Sequence, residues 1–313
     1  MSPAVDPRAS SSTVSSGGPA GSVIPPLVLP DRVFDRWPAI MGVVNASPES
    51  FSDGGELVGV DAQVARAEAL VEAGAAIIDV GGESGVTNHP ALDAQEEIDR
   101  VLPLVKRLVA LGVVVSVDTW KVPVARAVLE AGAQILNDVS GLRDPGLAEV
   151  CAETGAALVI MHTRAEPKKK EFPVYADVVA DVVSFLQQKM ALAHSLGVAP
   201  ERIVLDPGPD FAKTPAETVT VLRHVDRVVA LGRPVLLAIS RKDFIGALTL
   251  RRPRARDAGT LAAVGAGLDA GGAIVRVHDV AAVQDYLTVR SALRGQLEVP
   301  DDLTLAEELR RER

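Results

Sequence analysis

The chain has 313 residues, 48% of them hydrophobic but only 3% aromatic, and carries a formal net charge of −9. That is enough chain for one large α/β domain or two smaller ones, with a core built mainly from Val, Leu, Ile and Ala. The acidic balance argues against nucleic acid or an anionic membrane as main partner; no apolar run reaches the ~18 residues of a membrane span; and a single cysteine, Cys151, excludes a disulfide framework.

Residues 1–36 are rich in Ser, Pro, Gly and Ala without periodicity and are expected to be a disordered extension. It has no basic region followed by an apolar core, so a secretory signal is not expected, and with the lone cysteine the expected location is cytoplasmic. From Trp37 onward, short apolar runs alternate with helical patterns. AIMGVV from Ala39 precedes a helix over 60–73, AIIDVGG from Ala76 one over 94–111, and VVVSVDT from Val113 one over 123–131. AQILND from Ala133 leads to 146–154, AALVIMHT from Ala156 to 175–196, and RIVLDPG from Arg202 to 214–230. PVLLAIS from Pro234 leads to 257–270, and AIVRVHDV from Ala273 to a helix ending near Arg294. Glycines at 74, 112, 132, 155, 197 and 232 stand where helices end in a left-handed residue. Eight β–α units over 37–295 predict a single (β/α)8 TIM barrel, with a doubly wound sheet as the alternative. Residues 296–313 read as a C-terminal tail or helix. Cys151 reads as a core residue and the Lys168–Lys170 run as a solvated loop.

In such a barrel the strand ends converge on one mouth. The ends here offer Asn45; Asp79 and Glu83; Asp118; Asn137 and Asp138; Met161 and His162; Asp206; Ser240, Arg241 and Lys242; and Arg276, His278 and Asp279. Asp79, Glu83 and His162 suit structural roles as well as ligand roles. Polar groups placed directly after buried runs need partners, since an unpaired one costs ~1–3 kcal/mol. Arg276 and His278, two apart on one strand, point the same way and with Asn45 suit an anion such as phosphate. Asp118, Asn137, Asp206 and Lys242 suit a flat heterocycle rich in N–H groups. Together they suggest departure of a phosphate group from a heterocyclic substrate.

The motifs IMGVVNASPESFSDGG, AAIIDVGGES, VSVDTWK, ILNDVSG, VIMHTR, VLDPGPDFAKT, ISRKDFIG and IVRVHDV, in this order over 37–294, resemble the dihydropteroate synthase family. The resemblance implies a TIM barrel that joins 6-hydroxymethyl-7,8-dihydropterin diphosphate to p-aminobenzoate, releasing pyrophosphate in folate synthesis. It implies that Asn45 holds Mg²⁺ with the diphosphate and that Arg276 and His278 bind the diphosphate. Asp118, Asn137, Met161, Asp206, Phe211 and Lys242 would bind the pterin, with Asp118, Asp206, Lys242, Arg276 and His278 forming the catalytic set. Phe51 and Asp53 would belong to a mobile loop closing the site. The implied partners are small-molecule substrates, and the implied assembly is a homodimer.

The sequence departs from the family on the acceptor side. The second loop reads Glu83-Ser84-Gly85-Val86 where the family has Glu-Ser-Thr-Arg, and Asp243 replaces a serine or arginine after Lys242. The phosphate-side loop reads Asp206-Pro207-Gly208-Pro209-Asp210-Phe211-Ala212-Lys213, in place of Asp-Pro-Gly-x-Gly-Phe-Gly-Lys. These departures motivate a second expectation, a paralogue that binds pterin without the synthase step. A pterin-dependent corrinoid methyltransferase is a third, disfavoured by the diphosphate motifs around Lys242 and His278.

Overall fold

Residues 24–46, 59–83 and 90–310 are described in the computed structural model of the protein; residues 1–23, the loop positions Phe51 and Asp53, and the second-loop positions Gly85 and Val86 lie outside them. The described chain opens on an antiparallel hairpin, β1 (Leu27–Val28) and β2 (Val33–Phe34). This corrects the expected extension over 24–36. Leu27 and Leu29 are buried, and Phe34 stacks at a tilt on Trp37, 5.4 Å between ring centroids. The Ser- and Pro-rich composition of the first 36 residues hid a short apolar segment, Ile24–Leu29, with a surface to cover.

Eight parallel strands follow: β3 (Ala39–Asn45), β4 (Ile77–Gly81), β5 (Val115–Asp118), β6 (Ile135–Asp138), β7 (Ala157–Met161), β8 (Ile203–Asp206), β9 (Leu236–Leu237) and β10 (Ile274–Val277). Their order is β8-β7-β6-β5-β4-β3-β10-β9, and a parallel bridge between Leu205 and Val235 closes the ring. The TIM barrel expected from the eight units is the fold, and the doubly wound alternative falls. The helices are α1 (Val60–Glu72), α2 (Ala94–Ala110), α3 (Val122–Glu130), α4 (Gly146–Thr154), α5 (Val178–Ser195), α6 (Pro215–Arg223), α7 (Val225–Val229), α8 (Asp243–Thr249), α9 (Asp257–Asp269) and α10 (Val280–Leu293). The six helix-ending glycines all have positive φ.

Local chemistry explains the differences from the expected bounds. The span 214–230 is two helices, broken at His224 (φ −120°), the first started by a Thr214–Glu217 capping box. Asp177 caps α5 through Val179 and Ala180 N–H, so Tyr175 stays in the lead-in loop. Asp279, a strand-end candidate, caps α10 through Ala282 N–H. Beyond α10 the described tail is exposed, with one 3-10 turn (Glu307–Leu309) in place of a C-terminal α-helix.

Strand alternation divides the core in two. Outward residues such as Ile78, Val80, Val117, Leu136, Ile160 and Leu205 pack against the helices. Inward Met41, Ile77, Val114, Ile135, Ala157, Val159, Val204, Leu236 and Ile274 fill the lower barrel, with the β1–β2 hairpin beneath them. Two residues further up the same inward rows stand Asp79, Ser116, Asn137, Met161, Asp206 and Arg276. The barrel interior therefore changes from aliphatic to ionic as it rises to the C-terminal mouth.

Candidate active site

At the mouth, strand register brings the candidates side by side. Asp118 pairs with Gly81 and Asn137, and Met161 with Asp206. Below them Asp79 is fully buried and acts as a hub. It accepts hydrogen bonds from Ser116 Oγ at 2.6 Å, Arg276 Nε at 2.6 Å and Asn137 Nδ2 at 3.3 Å. An Nη of Arg276 continues to Asp118 at 3.1 Å. Of the two readings open for Asp79, the structural one is realised. Arg276, expected on the diphosphate, has its guanidinium paired with Asp79 and Asp118.

This arrangement leaves one buried acceptor unpartnered. Asn137 Nδ2 faces Asp79, so Oδ1 has no hydrogen-bond partner among the described residues. An orphan amide oxygen costs ~1–3 kcal/mol unless a ligand N–H meets it. Asp206 accepts from Gly208 N–H at 2.7 Å. Lys242 Nζ lies over the Phe211 ring, 4.3 Å from its centroid. Two carboxylates, an amide oxygen, an ammonium and an aromatic face thus surround the space at the top of β5, β6 and β8. Such a set reads the N–H edge of a planar ring and leaves the ring face apolar cover.

The electrostatics follow from burial. Removal from water pushes the Asp118 carboxyl up to about 7; Arg276 opposes this, while Asp79 and Glu97 add to it. Burial likewise raises Asp206 and lowers Lys242, each opposed by the other's charge. Arg276 keeps its charge against burial because Asp79 and Asp118 hold it. Burial, then Arg276, Arg241 and Lys242, bring His278 down to about 4. His278 is neutral at pH 7, with Nδ1 2.9 Å from Ser240 Oγ. Ser240 Oγ also accepts from the His278 backbone N–H; a hydroxyl that donates to Nδ1 would leave the ring proton on Nε2.

Beside His278 a cavity of about 730 Å³ runs between α1 and the start of α10, lined by Asn45, Arg66, Arg241 and His278 among others. Asn45 and His278 both line this cavity. Arg66, absent from the sequence candidates, comes from α1 and reaches the His278 carbonyl at 3.5 Å. Nothing in its helical context distinguished it. Arg241 is held by Asp257 at 2.8 and 3.1 Å. No cluster of three or more His, Cys, Asp or Glu side chains suited to a metal occurs among the described residues.

The acceptor-side departure Asp243 opens α8, and its carboxylate takes an ion pair from Arg256 at 3.1 Å. Its side chain is 73% exposed, so its charge is directed at Arg256 and solvent. Asp210 accepts from Thr218 Oγ1 at 3.1 Å and from Phe244 N–H at 3.2 Å. Glu83 takes Lys121 at 2.9 Å and Lys168 at 3.0 Å. Lys168 is thus pinned across the mouth instead of solvated, a contact between β4 and the β7–α5 loop that local sequence does not reveal.

A barrel with this polar mouth defines a class, and comparison with known proteins agrees: the chain belongs to the pterin binding enzyme family, whose model matches residues 41–278. Within it the chain is 38% identical to the dihydropteroate synthase of Synechocystis, over 86% of this chain and 95% of the relative. Xanthomonas albilineans dihydropteroate synthase, solved with 4-aminobenzoic acid, superposes with a TM-score of 0.82 at 41% identity, covering 88% of this chain and all of that one. The same enzyme in complex with 7,8-dihydropteroate gives 0.79 at 42% identity, with the same coverage.

Proposed function

We propose that the chain is a dihydropteroate synthase, a transferase that condenses 6-hydroxymethyl-7,8-dihydropterin diphosphate with p-aminobenzoate and releases pyrophosphate. The observation that carries this reading is the unpartnered Asn137 Oδ1 in a mouth lined by Asp118, Asp206 and Lys242, on a chain similar throughout to synthases solved with the acceptor and the product. Asn137 Oδ1 and the two carboxylates receive pterin N–H groups, Lys242 donates to an acceptor atom of the ring, and Met161 and Phe211 cover its faces. The methylene C–O bond breaks with its electron pair leaving on pyrophosphate. The cation formed at the methylene is delocalised into the ring and stabilised by Asp118 and Asp206. The arylamine nitrogen then bonds to the methylene and gives up a proton, so no protein nucleophile is required.

His278 offers its Nε2–H to the leaving diphosphate, with Asn45 and Arg66 beside the same cavity. Mg²⁺ fits this site as a cation that arrives with the substrate: it keeps water and phosphate oxygens and needs one or two protein ligands, which Asn45 can begin to supply. When bound, it would neutralise charge on the departing pyrophosphate. No helix of the described residues is long and apolar enough to cross a membrane. A cytoplasmic homodimer is part of the proposal, and sedimentation velocity tests the assembly.

The deciding assay follows pyrophosphate release with and without p-aminobenzoate and Mg²⁺. Release that requires both and yields dihydropteroate is expected, falling at least a hundredfold in Asp118→Ala and Lys242→Ala, as loss of transition-state electrostatics usually does. Pterin binding with no turnover of any arylamine would make the chain a pterin-binding paralogue instead.

A further inference from the structure

The proposed function gives no role to a buried lysine. Lys213 lies in the β8–α6 loop with its side chain 1% exposed. No carboxylate pairs with it among the described residues. Its Nζ donates to His162 Nδ1 and to the Gly208 carbonyl, both at 2.8 Å, and to the Phe211 carbonyl at 3.1 Å; the His162 carbonyl is 3.4 Å away. His162 Nδ1 can accept because its Nε2 faces Asp181 at 2.9 Å, where the ring proton is donated. Asp181 in turn is held by Arg164 at 2.6 and 2.9 Å.

These acceptors belong to two segments. His162 ends β7. Gly208 and Phe211 belong to the turn that follows Asp206. The turn holds unfavourable backbone: Asp210 and Ala212 sit at φ 64° and 52°, a region that non-glycine residues seldom adopt. It also passes so near β7 that a Cβ on Gly208 would collide with the His162 carbonyl. An ammonium has three N–H groups to share among four acceptors. A neutral amine has two and a lone pair, and that lone pair would oppose the acceptors it now serves.

We propose that Lys213 is a positioning residue for the pterin side of the site: its protonated side chain pins the turn that follows Asp206 and carries Phe211 to the end of β7, and loss of that proton releases the turn. The inference rests on the pterin reading for its consequence, not for the pin itself. The charged and titratable groups facing Lys213 are His162 from β7, Asp181 from α5, Asp206 from β8, Asp210 from its own loop and Lys242 from the turn before α8. Burial brings Lys213 down to about 7; Asp206, Asp181 and Asp210 oppose that fall and Lys242 adds to it. The pin therefore operates below neutral pH and fails above it.

The test uses the full chain. Affinity for the pterin diphosphate is measured by calorimetry from pH 6 to 9, and amide hydrogen exchange of residues 207–213, corrected for intrinsic rates, is followed without ligand over the same range. The expected result is exchange of the turn accelerating between pH 6.5 and pH 8.5, with the Kd of the native chain weakening over that interval by about tenfold relative to its change in Lys213→Met, because the binding-competent fraction shrinks. Lys213→Met should bind weakly and without this pH dependence. If that variant does not fold, the exchange titration of the native turn decides alone. A lysine with a merely structural role would leave exchange of the native turn flat over this range, and a flat exchange titration overturns the proposal. pH-dependent exchange with no pterin binding at any pH would establish the pin and overturn the pterin reading.

Discussion

Asp118 concentrates the chemistry of single residues in this site. Its carboxyl titrates near 7 because burial outweighs the attraction of Arg276. A carboxyl with a raised pKa is charged only above that value, and only the charged form stabilises a cation in the pterin ring. kcat/KM for the pterin diphosphate should therefore fall tenfold per unit below about pH 7, and Asp118→Asn should remove this acidic limb. A pH–rate profile of both proteins checks it; an acidic limb that survives in the variant would assign it elsewhere. Asp118, Asn137 and Asp206 were read as candidates because each directly follows an apolar run, where a polar group needs a reason, and Lys242 because it sits in the polar group Ser240-Arg241-Lys242 just past a strand end. Asp79 was only half legible. It looks like an interruption of IIDVG, and its role depends on Arg276, 197 positions away. Lys213 carried no signal of burial, since a lysine beside a helix start ordinarily points to water.

Elements tell a similar story at larger distance. The β–α alternation was readable because buried parallel strands need unbroken aliphatic runs and helices end in left-handed glycine. The β1–β2 hairpin was not readable, since two-residue strands carry no periodicity. Its Leu27 is fully buried against the lower barrel. Leu27→Ala should lower stability by about 2–5 kcal/mol, the usual cost of a buried leucine cavity, with pterin affinity at the opposite end of the barrel unchanged. Urea denaturation and calorimetry separate the two quantities. Destabilisation of under about 0.5 kcal/mol would mean the hairpin is only a surface contact. The Lys168–Glu83 ion pair shows how an element read as a basic loop becomes a strap once the fold brings β4 and the β7–α5 loop together.

The whole molecule divides its labour between the two ends of the barrel. Aliphatic layers and the hairpin close the N-terminal end, while buried carboxylates crowd the mouth, where they destabilise the empty site and favour a ligand that supplies N–H donors. Ligand binding should therefore be visible as stability: pterin diphosphate at a hundred times its Kd adds about 2.7 kcal/mol. A thermal shift that grows with ligand concentration checks this, and Asn137→Leu should abolish it. The sequence by itself determined the barrel, its eight strand ends and the residues offered there, because local alternation of aliphatic runs, helical periodicity and terminal glycines is written in consecutive positions. Only the tertiary structure decided who pairs with whom: that Arg276 answers to Asp79 and Asp118, that Asp243 turns to Arg256, and that Lys213 joins two loops. Those choices are made by burial and by charges that meet across the barrel, and neither has any local trace along the chain.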